Sequence, residues 1–270
     1  MNAVRNFFLA VQFFTRIPVT GALADWVGFS PAMLRASAAH FPGVGWLVGA
    51  LTATVFFLAM HALPPLPAAP WVAAIASSIF SVLLTGAFHE DGLADLADGL
   101  GGSADRERAL DIMKDSRIGS YGTLALVLAL LAKTSLLVLL AQCGITLAAT
   151  ALFAAHVTSR LMPLFIVRTM PHVGDTARSK SKPLAEQITT SSLLAALLWT
   201  LPALALAAWL APSVWWLAGV LGALAGLAWM WRLLRRRLGG FTGDALGATQ
   251  QLSEILFYLG LLLAVPAQVA

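Results

Sequence analysis

Seven apolar stretches, each near the ~20 residues an α-helix needs to cross a bilayer, leave this chain few ways to fold. They run at about 40–62, 70–88, 121–141, 145–170, 188–211, 213–231 and 247–268. In lipid every backbone amide must be satisfied within its own segment, which restricts such stretches to helices. Residues of hydrophobic type make up 59% of the 270 and charged residues only 11%, so little chain remains from which a second, soluble domain could be built. The expectation is an all-α, polytopic membrane bundle of about seven transmembrane helices, forming one integral membrane domain over 1–270. Ahead of them, "NFFLAVQFF" (6–14) is short, broken by Gln12, and runs into "TRIP" without a small-residue cleavage site, which predicts a short interfacial or re-entrant helix and not a signal peptide. The single cysteine, Cys143, permits no intrachain disulfide and no zinc-type spacing accompanies it.

The charges then orient the bundle. The turns His61 to Pro70, Gln142 to Ile145 and Ala211 to Ser213 carry no charge, while the opposite ends hold Arg5, Arg16 and Arg35, then Arg106, Arg108, Lys114 and Arg117, then Arg178, Lys180 and Lys182, then Arg232 and Arg235 to Arg237. By the positive-inside rule these ends are cytoplasmic, with the N-terminus inside and the C-terminus outside. The net charge of +4 is accounted for by topology and calls for no nucleic-acid partner.

Topology needs no acids, yet "FHEDGLADLADGLGG" (88–102) places Glu90, Asp91, Asp95 and Asp98 within nine residues. Eight of the thirteen acidic residues fall in this one loop, about 88–120. If 91–98 continue the second span as a helix, Asp91, Asp95 and Asp98 stand at i, i+4 and i+7 on one face and repel one another unless a cation lies between them. An oxygen-only donor set selects a hard divalent ion such as Mg²⁺ or Mn²⁺ over zinc or copper. Gly92, Gly99, Gly101 and Gly102 would let backbone approach a ligand or turn sharply.

In the following "RERALDIMKDSRIGSYG" (106–122), Ser103 is expected to cap a short helix carrying Asp111 and Asp115, flanked by Arg108, Lys114 and Arg117. Carboxylates for metal beside cations for phosphate are what phosphoryl transfer requires. The alternating Asp105 to Arg108 reads as a solvated face, and His89 as an interfacial hydrogen-bonding residue. Within the spans lie Lys133, Arg160 and Glu254. Two readings stand side by side: a structural pair of Lys133 with Glu254, or a cavity where Arg160 holds an anionic group. "RRRLGGFTGDALGA" (235–248) reads as a membrane-surface anchor followed by a glycine-rich turn into a helix N-terminus, with Asp244 a possible extra carboxylate near the metal.

"FTRIP" (14–18), "FPGVG" (41–45), "FHEDGLADLADG" (88–99), "IMKDSRIGSYG" (112–122), "SR" (159–160) and "GGFTGDALGA" (239–248) resemble the signature segments of the cobalamin (5'-phosphate) synthase family of adenosylcobinamide-GDP ribazoletransferases. The resemblance runs from the N-terminal segment to the last span. It implies a Mg²⁺-dependent, multi-pass enzyme of the bacterial inner membrane, its active site facing the cytoplasm. Such an enzyme joins adenosylcobinamide-GDP to α-ribazole or its 5'-phosphate and releases GMP, with other corrinoid-pathway enzymes as conceivable partners. "DLADG" (95–99) with Asp111 and Asp115 also resembles the CDP-alcohol phosphotransferase pattern, but Leu100 to Gly102 replace that family's Ala-Arg pair, which leaves an analogy of mechanism. Together these readings assign the metal to Asp91, Asp95, Asp98 and Asp115, one of them doubling as general base. Lys114, Arg117 and Arg160 are assigned to the diphosphate, and Arg16 and Asp244 to secondary substrate contacts. A divalent-cation transporter and a scaffold protein are the competing classes. The first expects acids at the midplane of broken spans, and the second needs no shared acidic face.

Overall fold

Proline, glycine and the apolar runs set where each helix starts and stops. The computed structural model describes residues 2–174, 188–211 and 215–265, and every regular element among them is a helix. Helix α1 (Asn2–Phe14) is followed by two short helices, α2 (Gly21–Val27) and α3 (Pro31–Ser37), and a single 3-10 turn leads into α4 (Phe41–Ala62). Then come α5 (Ala69–Thr85), α6 (Phe88–Gly102), α7 (Arg106–Met113), α8 (Ser120–Cys143), α9 (Ile145–Thr169), α10 (Thr190–Leu210), α11 (Trp216–Arg237) and α12 (Gly243–Ala264). Six helical stretches are long and apolar enough to cross a membrane. Helix α5, 17 residues long, is not one of them by itself, and a seventh is reached only if α5 and α6, bent by 89°, count as one span. The basic triplet Arg178, Lys180 and Lys182 lies outside the described residues.

Helix α9 is the axis of the bundle, its residues buried almost without interruption from Leu147 to Val167. In lipid the attraction between helices is close packing, which favours small residues at the contact. Accordingly α4 meets α9 through glycines: a Cβ on Gly45 would stand 2.6 Å from the His156 carbonyl oxygen, and one on Gly49 2.9 Å from that of Phe153. Gly222 of α11 and Gly260 of α12 likewise press on each other's backbone, so side chains at either would separate these helices.

Helix α6 does not continue the second span. Gly86 (φ 66°) and Ala87 (φ 58°) both adopt the left-handed conformation, and α6 leaves α5 at 89°. Ala87 pays a strain of about 1–2 kcal/mol for this. The turn takes four carboxylates out of the bilayer direction and lays them across the end of the bundle, where α6 packs on α12, α8 and α7. The contact with α12 is again made of glycine: Gly92 faces the Asp244 backbone, where a Cβ would come within 2.8 Å of its carbonyl oxygen, and Gly247 faces the backbone of His89. Helix α7 also starts differently from expectation. Asp105 is its N-cap, its Oδ1 accepting from Arg108 N at 2.8 Å, while the Ser103 hydroxyl accepts from Asp105 N in the preceding turn. Helix α7 ends at Met113, so Asp115 lies beyond it and shares no helix face with Asp111.

Candidate active site

Three polar features occupy the charged end of the bundle, and α6 touches all of them. The first is the crossing of α6 with the N-terminus of α12. Glycine at 92 and 247 draws the two backbones together and brings Asp244 beside Asp91 and Asp95. Burial first, and then the negative charges of Asp244, Asp91 and Asp98, push the Asp95 carboxyl up to about 7. The shift records burial together with a concentration of negative charge. None of Asp91, Asp95 and Asp244 makes an ion pair among the described residues. The turn before α12 is held by backbone bonds from Val173 N to Phe241 O at 2.9 Å and from Phe241 N to Pro171 O at 3.0 Å, and Thr242 caps the helix by accepting from Ala245 N.

The second feature is an open cleft of about 330 Å³ between α6, α7 and the start of α8, lined by Asp98, Arg108, Asp111, Asp115, Arg117 and Gly119. Arg117 grips Asp115 bidentately, Nη2 donating to Oδ2 at 2.6 Å and Nε to Oδ1 at 3.0 Å. These bonds hold the Asp115 carboxyl down at about 2. Lys114 Nζ lies 3.3 Å from Asp111 Oδ1. Asp98 is buried and already employed: its Oδ2 accepts from Gly119 N at 2.7 Å and its Oδ1 from Gly122 N at 2.8 Å. It thereby ties α6 to the first turn of α8, whose free amides carry the positive end of the helix dipole. A side chain at Gly119 or Gly122 would collide with that carboxylate.

The third is a narrow shaft walled by Phe14, Phe41, Phe88 and Phe241, with Arg160 and Gln250 among its lining. Arg160 is 4% exposed. Its Nη1 donates to the His156 carbonyl at 2.9 Å, whereas its Nε has no partner. Below it runs a buried network. Lys133 Nζ meets Glu254 Oε1 at 2.5 Å, Tyr258 Oη donates to the same oxygen at 3.0 Å, and Gln250 Nε2 donates to Glu254 Oε2 and Ser159 Oγ, each at 2.8 Å. Lys133 pairs with Glu254, as the structural reading expects, and Arg160 lines the shaft.

The sequence-based assignments divide accordingly. Asp91, Asp95 and Asp244 come together, and Asp98 bridges their cluster to the cleft. Asp115 and Arg117 line that cleft, paired with each other, and Lys114 pairs with the cleft residue Asp111. Arg160 stands apart in the shaft. Arg16 is exposed and packs over Gly86 at the α5–α6 corner. Among the described residues no three His, Cys, Asp or Glu side chains converge with the geometry of a metal site. His89 is buried and stacks on Phe14 at a centroid distance of 6.2 Å, which differs from the interfacial role expected of it. Sequence reasoning missed the anchoring of Gly119 and Gly122 by Asp98, and also the pairing of Gln251 with Glu90 Oε1 at 3.1 Å. The polar stripe Gln250, Glu254 and Tyr258 at i, i+4 and i+8 was a legible sign of a buried network.

Fold and site together define a polytopic helical membrane protein whose charged end gathers carboxylates and guanidiniums around one crossing helix. The chain belongs to the cobalamin-5-phosphate synthase family, whose model matches residues 6–262. It is 56% identical over 271 residues to an adenosylcobinamide-GDP ribazoletransferase of Polaromonas sp. (strain JS666 / ATCC BAA-500), covering 96% of each chain. A protein of the same name from Albidiferax ferrireducens is 56% identical over 272 residues, covering 96% of this chain and 97% of its own. One from Vibrio cholerae is 43% identical over 256 residues, covering 95% and 92%. No solved structure matches the chain.

Proposed function

We propose that this protein is an adenosylcobinamide-GDP ribazoletransferase, acting with Mg²⁺ at the cytoplasmic face of a bacterial inner membrane. The observation that carries the chemistry is the meeting of Asp91, Asp95 and Asp244 at the α6–α12 crossing, where no lysine or arginine pairs with them among the described residues. The donor types, all oxygens and mutually repelling, are those a hard divalent ion prefers, but the three carboxylates do not converge to a metal site's geometry in this structure and would have to close on the ion to bind it. Such an ion, held by Asp91, Asp95 and Asp244, would neutralise charge on the diphosphate. Asp98 acts chiefly as the strut that fixes α6 against α8, and Asp115 as the partner that keeps Arg117 at the cleft.

The reaction is displacement at phosphorus. A ribose hydroxyl of α-ribazole or its 5'-phosphate attacks the phosphorus that bears the corrinoid aminopropanol arm, its proton passes to a base, and the bond to the GMP oxygen breaks. A carboxylate of this cluster would serve as the base that takes the proton. Arg117 would offset negative charge on the phosphates once its pair with Asp115 opens, and Arg160, whose Nε is unpartnered in the separate shaft, is the second cation assigned to them. The transporter reading is disfavoured because the deep acid, Glu254, is locked by Lys133, Gln250 and Tyr258.

The test is GMP release from adenosylcobinamide-GDP and α-ribazole phosphate by the purified protein. Activity should vanish in EDTA, return with Mg²⁺ or Mn²⁺ but not Zn²⁺, and be lost in Asp95→Asn with the fold intact. Full turnover in EDTA would end the metal assignment alone, whereas no GMP under any condition would end the transferase reading. For orientation, cysteines at Ala68 and Asp105 in a Cys143→Ala background should label from opposite sides, position 105 from the cytoplasm.

A further inference from the structure

A cavity of about 510 Å³ lies against the flank of α6 that carries Leu93, Leu96 and Leu100 instead of its carboxylates. Helices α8, α11 and α12 supply the other walls, with Ala129, Leu233 and Leu252 among the lining side chains. The space far exceeds the ~10–15 Å³ that one water needs, yet the indole N–H of Trp229 is the one polar side-chain group in its lining, fewer partners than a water requires, and such cavities stay dry or accept an apolar guest. Three of the four walls are membrane-spanning helices, so the guest with access is hydrocarbon from the bilayer.

The rim says which lipid. Trp229, Arg232, Leu233 and Arg236 occur at i, i+3, i+4 and i+7 of α11 and so form one stripe. Trp229 and Leu233 line the cavity. Arg232 and Arg236 are exposed and have no carboxylate partner among the described residues. Just beyond, Arg237 Nη2 donates to the carbonyls of Leu100 at 3.0 Å and Ser103 at 2.6 Å, tying α11 to the end of α6. Greasy space one turn from two uncompensated guanidiniums matches a molecule with an acyl chain and a phosphate.

We propose that this is a binding site for an anionic phospholipid, one acyl chain filling the cavity beneath α6 and the headgroup phosphate resting on Arg232 and Arg236. The chain steadies the helix that carries Asp91, Asp95 and Asp98 from the side opposite the substrate.

The test reads binding and is independent of catalysis. Full-length protein is reconstituted into vesicles of equal parts phosphatidylglycerol and phosphatidylcholine, extracted gently, and weighed by native mass spectrometry. One phosphatidylglycerol per chain should be retained in preference to phosphatidylcholine. Ala129→Trp, which fills the cavity, should abolish retention of either lipid. The surface double variant Arg232→Gln with Arg236→Gln should fold normally and lower the preference for phosphatidylglycerol about tenfold or more. Equal retention of the two lipids by the unaltered protein, or unchanged preference in the arginine variant, would overturn the proposal. So would a dimer mass that Ala129→Trp removes, since a second copy of the chain would then be the occupant.

Discussion

Within the bundle, Glu254 receives Lys133, Tyr258 and Gln250, so that both of its oxygens are engaged; at the end of the bundle, Asp91, Asp95 and Asp244 face one another with no cation between them. The two regions lie on the same helix, α12, ten residues apart at Asp244 and Glu254. A charge in the low-dielectric interior is tolerable only when fully partnered, and the deep network meets that condition. The cluster of like charges at the rim is partly buried, and it relieves its repulsion by holding a proton, Asp95 being pushed up to about 7. It persists in a partnerless state that a ligand cation would relieve. Partnered charge here holds helices together, and unpartnered charge marks where chemistry is proposed.

The largest effect expected from breaking this comparison is on the partnered side. Glu254→Ala strands Lys133 in the bundle and should cost about 3–5 kcal/mol of stability, read as a large fall in the melting temperature of the solubilised protein. Replacing both members, Lys133→Met with Glu254→Leu, should restore most of that loss, because it is the orphaned charge that is expensive. If the single variant melts normally, the network is not the structural element described here.

Arg117→Lys comes next, at the exposed cleft. The pair with Asp115 is open to solvent and worth little to the fold. A lysine nevertheless lacks the planar fork that meets two phosphate oxygens. A fall in kcat of about tenfold to a thousandfold, roughly 1.4 to 4 kcal/mol of barrier, is expected, with the KM for adenosylcobinamide-GDP changed far less. Near-normal kcat would confine Arg117 to holding Asp115.

Smaller still, and opposite in sign, is the effect of Asp95→Asn on stability. Removing one charge from a repelling cluster should stabilise the metal-free protein at pH 8 by about 1 kcal/mol, the shift being discounted because Asp95 is partly exposed to solvent. A variant that gains stability while losing turnover is the signature of a residue kept for function. Destabilisation by Asp95→Asn would contradict it.

The finest test is the pH dependence. The folded-state value of Asp95, about 7, lies above the unfolded carboxyl value of ~3.9. The folded protein therefore holds a proton that the unfolded chain has lost, and stability falls as pH rises through that window. In EDTA, the melting temperature of the unaltered protein should decline relative to Asp95→Asn between pH 4 and about 7. Added Mg²⁺ should raise it more at the upper end than at the lower, since the ion competes with that proton. Parallel curves for the two proteins would show that Asp95 does not carry the shift.

Most of the helices were legible because lipid leaves an apolar run of ~20 residues no other structure. The spans expected at 145–170 and 188–211 became α9 (Ile145–Thr169) and α10 (Thr190–Leu210) almost to the residue. The acidic candidates were legible as a group, since eight acids in one loop exceed what topology requires. Their division was not. Periodicity put Asp91, Asp95 and Asp98 on one face, but only packing against α8 turned Asp98 into a buried anchor for Gly119 and Gly122. Helix α7 likewise stops at Met113, before Asp115, and separates two carboxylates that spacing alone had joined.

What the sequence determined by itself was the class of solvent, the helical class and the chemical kinds present, because these follow from composition and local period. What only the tertiary structure decided was which charges meet. Two successive left-handed residues, Gly86 and Ala87, swing α6 through 89°, and the glycine contact of Gly92 with Asp244 then brings acids some 150 residues apart to one crossing. Contacts of that kind depend on interhelical distance and angle, which the spacing of residues along one chain does not encode.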